Sequence, residues 1–319
     1  MNTLVNLVLR RGALGIATLA AAAVLIFVGT ELLPGDVAQA ILGQSATPEA
    51  LAVLRRDLGL DQPGHVRFGK WVWGILHGDL GRSLANQIAV SELIADRLAN
   101  TMILAAAAAL VAVPLSLILG LVSALYHDRL VDRAASGVSL LFVSFPEFLI
   151  GYLMMFVFAI KLGWLPPLSM ISEGATTVEW LQVLALPVAT LTAVTTAHTM
   201  RLARTAIVSV LSADYIQMAE LKGLAPFRIT LRHAVPNAMS PILSIVMLTL
   251  AYLVVGVVVV EAVFNFPGMG KLMVDAVAFR DLPLVQACGL VFCAVFVVLN
   301  FLADFLSIVT NPRLRHPRS

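Results

Sequence analysis

Of the 319 residues, 60% are hydrophobic and only 13% charged, and the mean hydropathy is +0.93. Soluble domains run nearer 45–50% apolar and about 25% charged, so a water-soluble enzyme and a disordered tail are both excluded. A formal net charge of +2 is too small for a surface that tracks nucleic-acid phosphates. The chain is expected to be an all-α integral membrane protein.

A helix needs about 20 mostly apolar residues to cross the hydrocarbon core. Six stretches qualify: Gly12–Leu33, Met102–Tyr126, Ala134–Ile160, Trp180–Met200, Ile242–Phe264 and Val285–Val309. The first is too long for the apolar core of a signal peptide, and Leu32-Leu33-Pro34-Gly35 lacks a small-x-small cleavage pattern, so a retained span is expected. Pro114, Pro146 and Pro187 fall inside the second, third and fourth stretches, as kinks or as parts of a gate. Cys288 and Cys293 share one apolar run and are packing thiols rather than a disulfide framework.

Lys and Arg set the orientation. One face collects twelve of them, including Arg10, Arg129, Arg201 and Arg313, against three on the other face once the long loop is set aside. Both termini are therefore expected in the cytoplasm and the loop 34–101 outside. That divides the chain into a first helix plus external loop over 1–101 and a five-helix core over 102–319. In the loop, Thr47-Pro48-Glu49 opens a helix through Leu51, Leu54 and Leu58, and Gly59 to Pro63 closes it. The two shorter external loops carry Pro166-Pro167 and the turn-forming cluster Phe266-Pro267-Gly268-Met269-Gly270.

Residues 201–241 are polar enough to leave the bilayer yet keep helical spacing through Ile207, Leu211, Ile216 and Leu221, then Phe227, Ile229 and Leu231. Gly223 interrupts this pattern and Pro226 suits the first turn of a second helix. Two short helices joined by a turn make either a docking surface or a loop resting on the membrane.

Here the sequence resembles the inner-membrane permease subunits of bacterial ABC importers. Asp214 to Leu224 matches the cytoplasmic signature of the peptide, nickel and glutathione branch, and His233-Ala234-Val235-Pro236-Asn237-Ala238-Met239-Ser240-Pro241 matches its second half. The wider signature has Glu-Ala-Ala where this chain has Gln217-Met218-Ala219, and Ile-x-Leu-Pro where it has His233 to Pro236; Gly223 and Pro236 keep the family spacing. Leu32 to Asp36, Leu58 to Pro63, Gly78 to Ser83, Gly163 to Pro166, Glu261 to Phe264, Phe266 to Gly270 and Asn311 to Arg313 extend the resemblance in order along nearly the whole chain.

The resemblance implies a type I ABC importer permease fold with six transmembrane helices and a partly helical periplasmic loop. It implies a multi-pass protein of the bacterial inner membrane that moves di- or oligopeptides by alternating access, with nickel, glutathione or opine-type cargo as alternatives. The implied partners are a second homologous permease, two ATP-binding subunits and a periplasmic solute-binding protein. Asp214 to Leu224 would be the coupling helix, with Asp214, Tyr215, Ala219, Lys222, Gly223, Leu224, His233, Pro236 and Asn237 coupling to the ATPase; Gly223 would supply the turn and close approach. Lys222, Arg228 and Arg232 are candidate polar contacts or simply positive-inside charges.

No Gly-x-x-x-x-Gly-Lys-[Ser/Thr] occurs, so ATP and Mg are expected in the partners and no cofactor in this chain. No nucleophile–base constellation suggests an enzyme. His198, His233, His65 and His77 have no second ligand at metal-site spacing, so no metal is expected. Polar groups within spans are costly and invite a functional reading. Glu147, Glu261, Asn300 and Asp304 either line a translocation path or hydrogen-bond within the bundle. A stand-alone secondary transporter would show inverted repeats between the two halves, and none is visible.

Overall fold

A backbone in hydrocarbon has to satisfy its N–H and C=O groups internally, and helices do so within a single segment. The computed structural model describes residues 2–32, 37–42, 46–57, 59–170, 174 and 176–310. Among these, the only β pairing is an isolated antiparallel bridge between Arg82 and Ala89.

In chain order the helices begin with α1 (Asn2–Glu31), α2 (Val37–Leu42) and α3 (Pro48–Asp57). The hydroxyl of Thr47 accepts the Ala50 N–H at 3.2 Å to open α3, and Gly59, at φ +66°, lets the chain turn after it. Next come α4 (Gly64–Leu76), α5 (Val90–Leu125), α6 (Leu130–Ser144) and α7 (Glu147–Met154), the last continued by a π-helical turn over Met155–Lys161. A Thr176/Glu179 capping box starts α8 (Thr177–Leu211). The remainder comprises α9 (Asp214–Leu221), α10 (Pro226–Ile229), a π-helical Thr230–Ala234, α11 (Val235–Phe264), α12 (Met269–Ala278) and α13 (Leu282–Thr310).

Among the described residues five helices are long and apolar enough to cross a membrane, or six if α6 and α7 together count as one. What is corrected is the kink expected at Pro146 within Ala134–Ile160: it is a full break, with the two helices meeting at 103°. The cause is local. Pro146 has no N–H to give the preceding turn and drives Phe145 into extended backbone at φ −93°, ψ 138°. Pro114 and Pro187, by contrast, lie inside unbroken helices. A second correction concerns Arg201, expected to begin a loop: α8 runs on to Leu211, so the polar segment starts as a rigid continuation of the apolar helix.

The chain forms two compact units, one of residues 1–12, 102–266 and 298–319, the other of residues 13–101 and 267–297. In the first unit α8 and α11 form the central pair, with α6 and α7 packed on them. Leu104, Leu186, Leu191, Val257 and Phe264 make its principal core. Gly120 lets α5 close on α8: a Cβ there would lie 3.0 Å from the Met200 carbonyl and 3.2 Å from the Arg204 nitrogen. The Ser139 hydroxyl donates to the Ala197 carbonyl at 2.7 Å, tying α6 to α8. Thr199 and Thr249 bond each other at 2.9 Å across α8 and α11; because Thr249 already donates to the Ile245 carbonyl, Thr199 is the donor.

The strongest polar tie is at the start of α6. Buried Asp132 accepts both Nε and Nη2 of Arg204 at 2.6 Å, together with the Ser123 hydroxyl and the Asp128 N–H at 2.9 Å. This joins the α5–α6 turn to the late part of α8 through a two-pronged guanidinium–carboxylate pair.

In the second unit the N-terminal anchor of α13 is Asp281. It accepts the Ser83 hydroxyl, the Leu84 N–H at 3.0 Å and the Ala85 N–H at 3.5 Å. Asn100 donates to the Pro267 carbonyl at 2.9 Å and Thr101 accepts the Met269 N–H at 2.8 Å, so this unit is knitted from segments far apart in sequence.

Two outcomes are expected. Removing either Asp132 or Arg204 strands a partly buried charge, costing about 3–5 kcal/mol. Asp132→Ala with Arg204→Ala together should cost clearly less than the sum of the singles, measured as a thermal double-mutant cycle on the purified complex. Gly120→Val should force α5 from α8 and lower the unfolding midpoint, consistent with about 1–3 kcal/mol for overpacking.

Candidate functional site

The segment after α8 folds back on itself. Ser212 caps α8, α9 follows, and Gly223 reverses the chain at φ +75°, a conformation open to glycine without strain. Pro226 then opens α10 at its first turn, where its missing N–H leaves nothing unsatisfied. The π-helical Thr230–Ala234 leads into α11, and the Asn237 amide donates to the His233 carbonyl at 2.7 Å.

The apolar residues of this segment do not share one face, although their spacing suggested a common stripe. Ile216, Ile229 and Ala234 are buried together, with Val210, Leu211, Ala219 and Leu224 packed around them. Leu221 is 83% exposed, Phe227 63% and Met218 59%; with Tyr215 they form the outward surface. Tyr215, Met218 and Leu221 recur every three residues along the outer side of α9.

The small inner cluster holds α9 and α10 against the end of α8 and so presents an apolar patch to whatever lies outside. Of the nine residues marked from sequence, Tyr215, Asp214, Lys222, Gly223, Pro236 and Asn237 are exposed. Ala219 and Leu224 face the inner cluster, and His233 is half-buried. Met218, Leu221 and Phe227 were missing from that set. Their signal was present as apolar residues within a polar segment, but helical spacing alone could not tell the inner face from the outer. A Cβ on Gly223 would meet nothing within 4 Å in this chain.

The first unit also holds a cavity of about 470 Å³ among α7, α8 and α11. Glu147 lines it with His198, Thr195, Thr199, Thr249 and Tyr252, amid Leu191, Leu202, Leu248 and Leu253. Glu147 stands in the first turn of α7, just past the break at Pro146, where the helix N-terminus favours a carboxylate. Gly256 gives its oxygens room: a Cβ there would sit 3.2 Å from Oε1 and 3.4 Å from Oε2, close enough to press on the carboxylate.

The other intramembrane candidates are placed elsewhere. Glu261 is wholly buried in α11 and is not part of this lining. Asn300 is half-buried on α13, and the side chain of Asp304 lies outside the described residues. So do Leu33 to Asp36, Leu58 and Asn311 to Ser319, with the motif residues and the terminal arginines they contain.

His198 joins the cavity wall without a second imidazole or thiol beside it in that lining. The one cluster of metal-ligand type among the described residues is His127, Asp128 and Asp132. Asp132 spends its oxygens on Arg204, Ser123 and the Asp128 N–H, which leaves it poorly suited to a metal.

Comparison with known proteins adds to this geometry. Residues 112–316 match the binding-protein-dependent transport system inner membrane component family, and residues 4–105 match the corresponding N-terminal family of membrane components. The glutathione transport system permease proteins of Salmonella typhimurium and Salmonella paratyphi A are each 38% identical over 313 residues, covering 98% of this chain and all of the relative. A peptide transport system permease protein of Brucella abortus is 36% identical over 310 residues, covering 97% of this chain and 99% of the relative. The chain belongs to the inner-membrane permease component family of binding-protein-dependent ABC import systems.

Proposed function

We propose that this permease moves short peptides, glutathione among them, from a periplasmic binding protein into the cytoplasm, driven by ATPase subunits gripping α9 and α10. The observation that carries the reading is the outward apolar face of Tyr215, Met218, Leu221 and Phe227, held rigid by the Ile216–Ile229–Ala234 cluster. A stripe of large apolar side chains on an otherwise polar segment is the pattern of a helix set into a partner's groove.

Because α9 and α10 pack on Val210 and Leu211 at the end of α8, movement of the patch would be passed to the bundle and not absorbed by a slack loop. The excess of Lys and Arg on the same side supports a cytoplasmic location for it and for both termini. The broken pair α6–α7 then serves as one of six spans. A second homologous permease would close the face that carries the Glu147 cavity, making that cavity part of the path. The names of the relatives support the cargo class.

Met218→Asp with Leu221→Asp tests the coupling surface. Both side chains are exposed in this chain, so insertion and abundance should be unchanged. Co-purification of the ATPase subunits and uptake of labelled dipeptide or glutathione should fall at least about ten-fold, equivalent to about 1.4 kcal/mol of lost association. Retained ATPase and uptake would remove the proposed role.

Gly223→Val should also lose uptake through its left-handed backbone. Gly223→Asn, which tolerates that conformation, should keep most of it if the turn alone matters; loss in both would mean that the partner needs close approach.

For the cavity, Glu147→Gln should lower uptake without disturbing assembly, while Gly256→Val should mimic it by displacing the carboxylate. Unaltered uptake in both variants would exclude the cavity from the path.

A further inference from the structure

The second unit carries a composite surface that the transport reading leaves unused. Where α1 ends, α4 packs against it through Phe27, Phe68 and Trp71, with ring centres 5.2 to 6.1 Å apart. On one side of these rings lies a polar cavity of about 430 Å³ with Arg56, Arg67 and Lys70 in its wall and Glu31 as its only acid. Arg67 pairs with Glu31, and the Lys70 ammonium donates to the Gln62 side-chain oxygen at 2.8 Å. Three cations against one carboxylate leave the cavity positive. Trp71 lines it too, and its buried indole N–H has no acceptor among the described residues.

Beside it lies an apolar groove of about 340 Å³ lined by Val24 and Val28 of α1, by Leu32 just past its end, and by Gly64, His65 and Phe68 at the start of α4. Val24, Val28 and Leu32 recur every four residues, so they form one stripe along the helix, and all three are exposed. The two depressions share Phe27 and Glu31 in their walls and are therefore neighbours.

A cationic, hydrogen-bonding pocket beside an apolar stripe at the end of a membrane helix matches one kind of molecule. We infer that this surface holds a phospholipid, with its phosphodiester in the Arg56–Arg67–Lys70 pocket and an acyl chain along Val24, Val28 and Leu32. Charge selects the headgroup phosphate: Arg offers a planar fork of donors and Lys a point charge, and both bind phosphate oxygens well. The apolar groove distinguishes this ligand from a free anion, because inorganic phosphate gains nothing from it. Belts of aromatic and basic side chains at the ends of spans mark the headgroup level of a bilayer, and Phe27, Phe68 and Trp71 line this site.

The assembled transporter, inserted in vesicles of phosphatidylglycerol and phosphatidylethanolamine containing a phosphatidylglycerol with a photoactivatable acyl chain, provides the test. Illumination and peptide mapping should place the label on residues 24–32 and 64–71. Arg56→Gln with Lys70→Gln should lower that labelling several-fold.

Gly64→Phe should lower it as well by filling the groove; a Cβ at Gly64 meets nothing within 4 Å, so the fold has room for the larger side chain. Excess inorganic phosphate or glycerol phosphate should compete poorly. Labelling unchanged in both variants would overturn the proposal. Full displacement by phosphate alone would reduce the pocket to an anion site, and displacement by purified binding protein would make it a protein contact; either result also overturns it.

Discussion

The pairing of Asp132 with Arg204 is the constraint on which the working half of this permease rests. A carboxylate so little exposed is tolerable only because a guanidinium, a hydroxyl and a backbone N–H all point at it. The consequence is mechanical. The turn between α5 and α6 is fixed to α8 two turns before that helix hands over to α9. A displacement imposed on α9 would therefore meet a structure already clamped from the side.

The clamp is one of several ties on α8. Ser139 holds its Ala197 carbonyl, Thr199 reaches Thr249 of α11, and Gly120 admits α5 to near backbone contact. Each is cheap on its own, since interhelical hydroxyl bonds in membranes are worth about 0.6 to 2 kcal/mol. Their value lies in placement. The Thr199–Thr249 bond ties α8 to α11 within the wall of the cavity itself, which Glu147 at the start of α7 also lines. The break at Pro146 that ended the apolar helix early is also what brings Glu147 into that cavity.

Much of this was legible from residues alone. Apolar runs locate the spans because hydrocarbon tolerates little else, and Thr47-Pro48-Glu49, Gly59 and Pro226 mark their turns and helix starts because their local chemistry is sufficient. The failures have a common cause in tertiary context. Pro114, Pro146 and Pro187 look alike in sequence, yet only Pro146 parts two helices. Arg204 looked like one more positive-inside charge because its partner is 72 positions away. Ile216 and Leu221 both fit the apolar periodicity, but a helix eight residues long turns one inward and the other out, and only the fold of the following turn decides which.

Asp281 shows the same logic applied to the other unit. It lies just before α13 and gathers the Ser83 hydroxyl and the N–H groups of Leu84 and Ala85 from nearly two hundred residues upstream. A carboxylate at a helix start is common; one that also orders a distant turn is not visible until the chain is folded. Low charge is therefore a poor measure of how much electrostatics matters here. In a chain with so few ionised groups, those buried at helix starts have few competitors for their partners, and each can fix the position of an entire segment. Selection for a membrane-soluble exterior thins the charges, and the thinning itself makes the remaining ones specific.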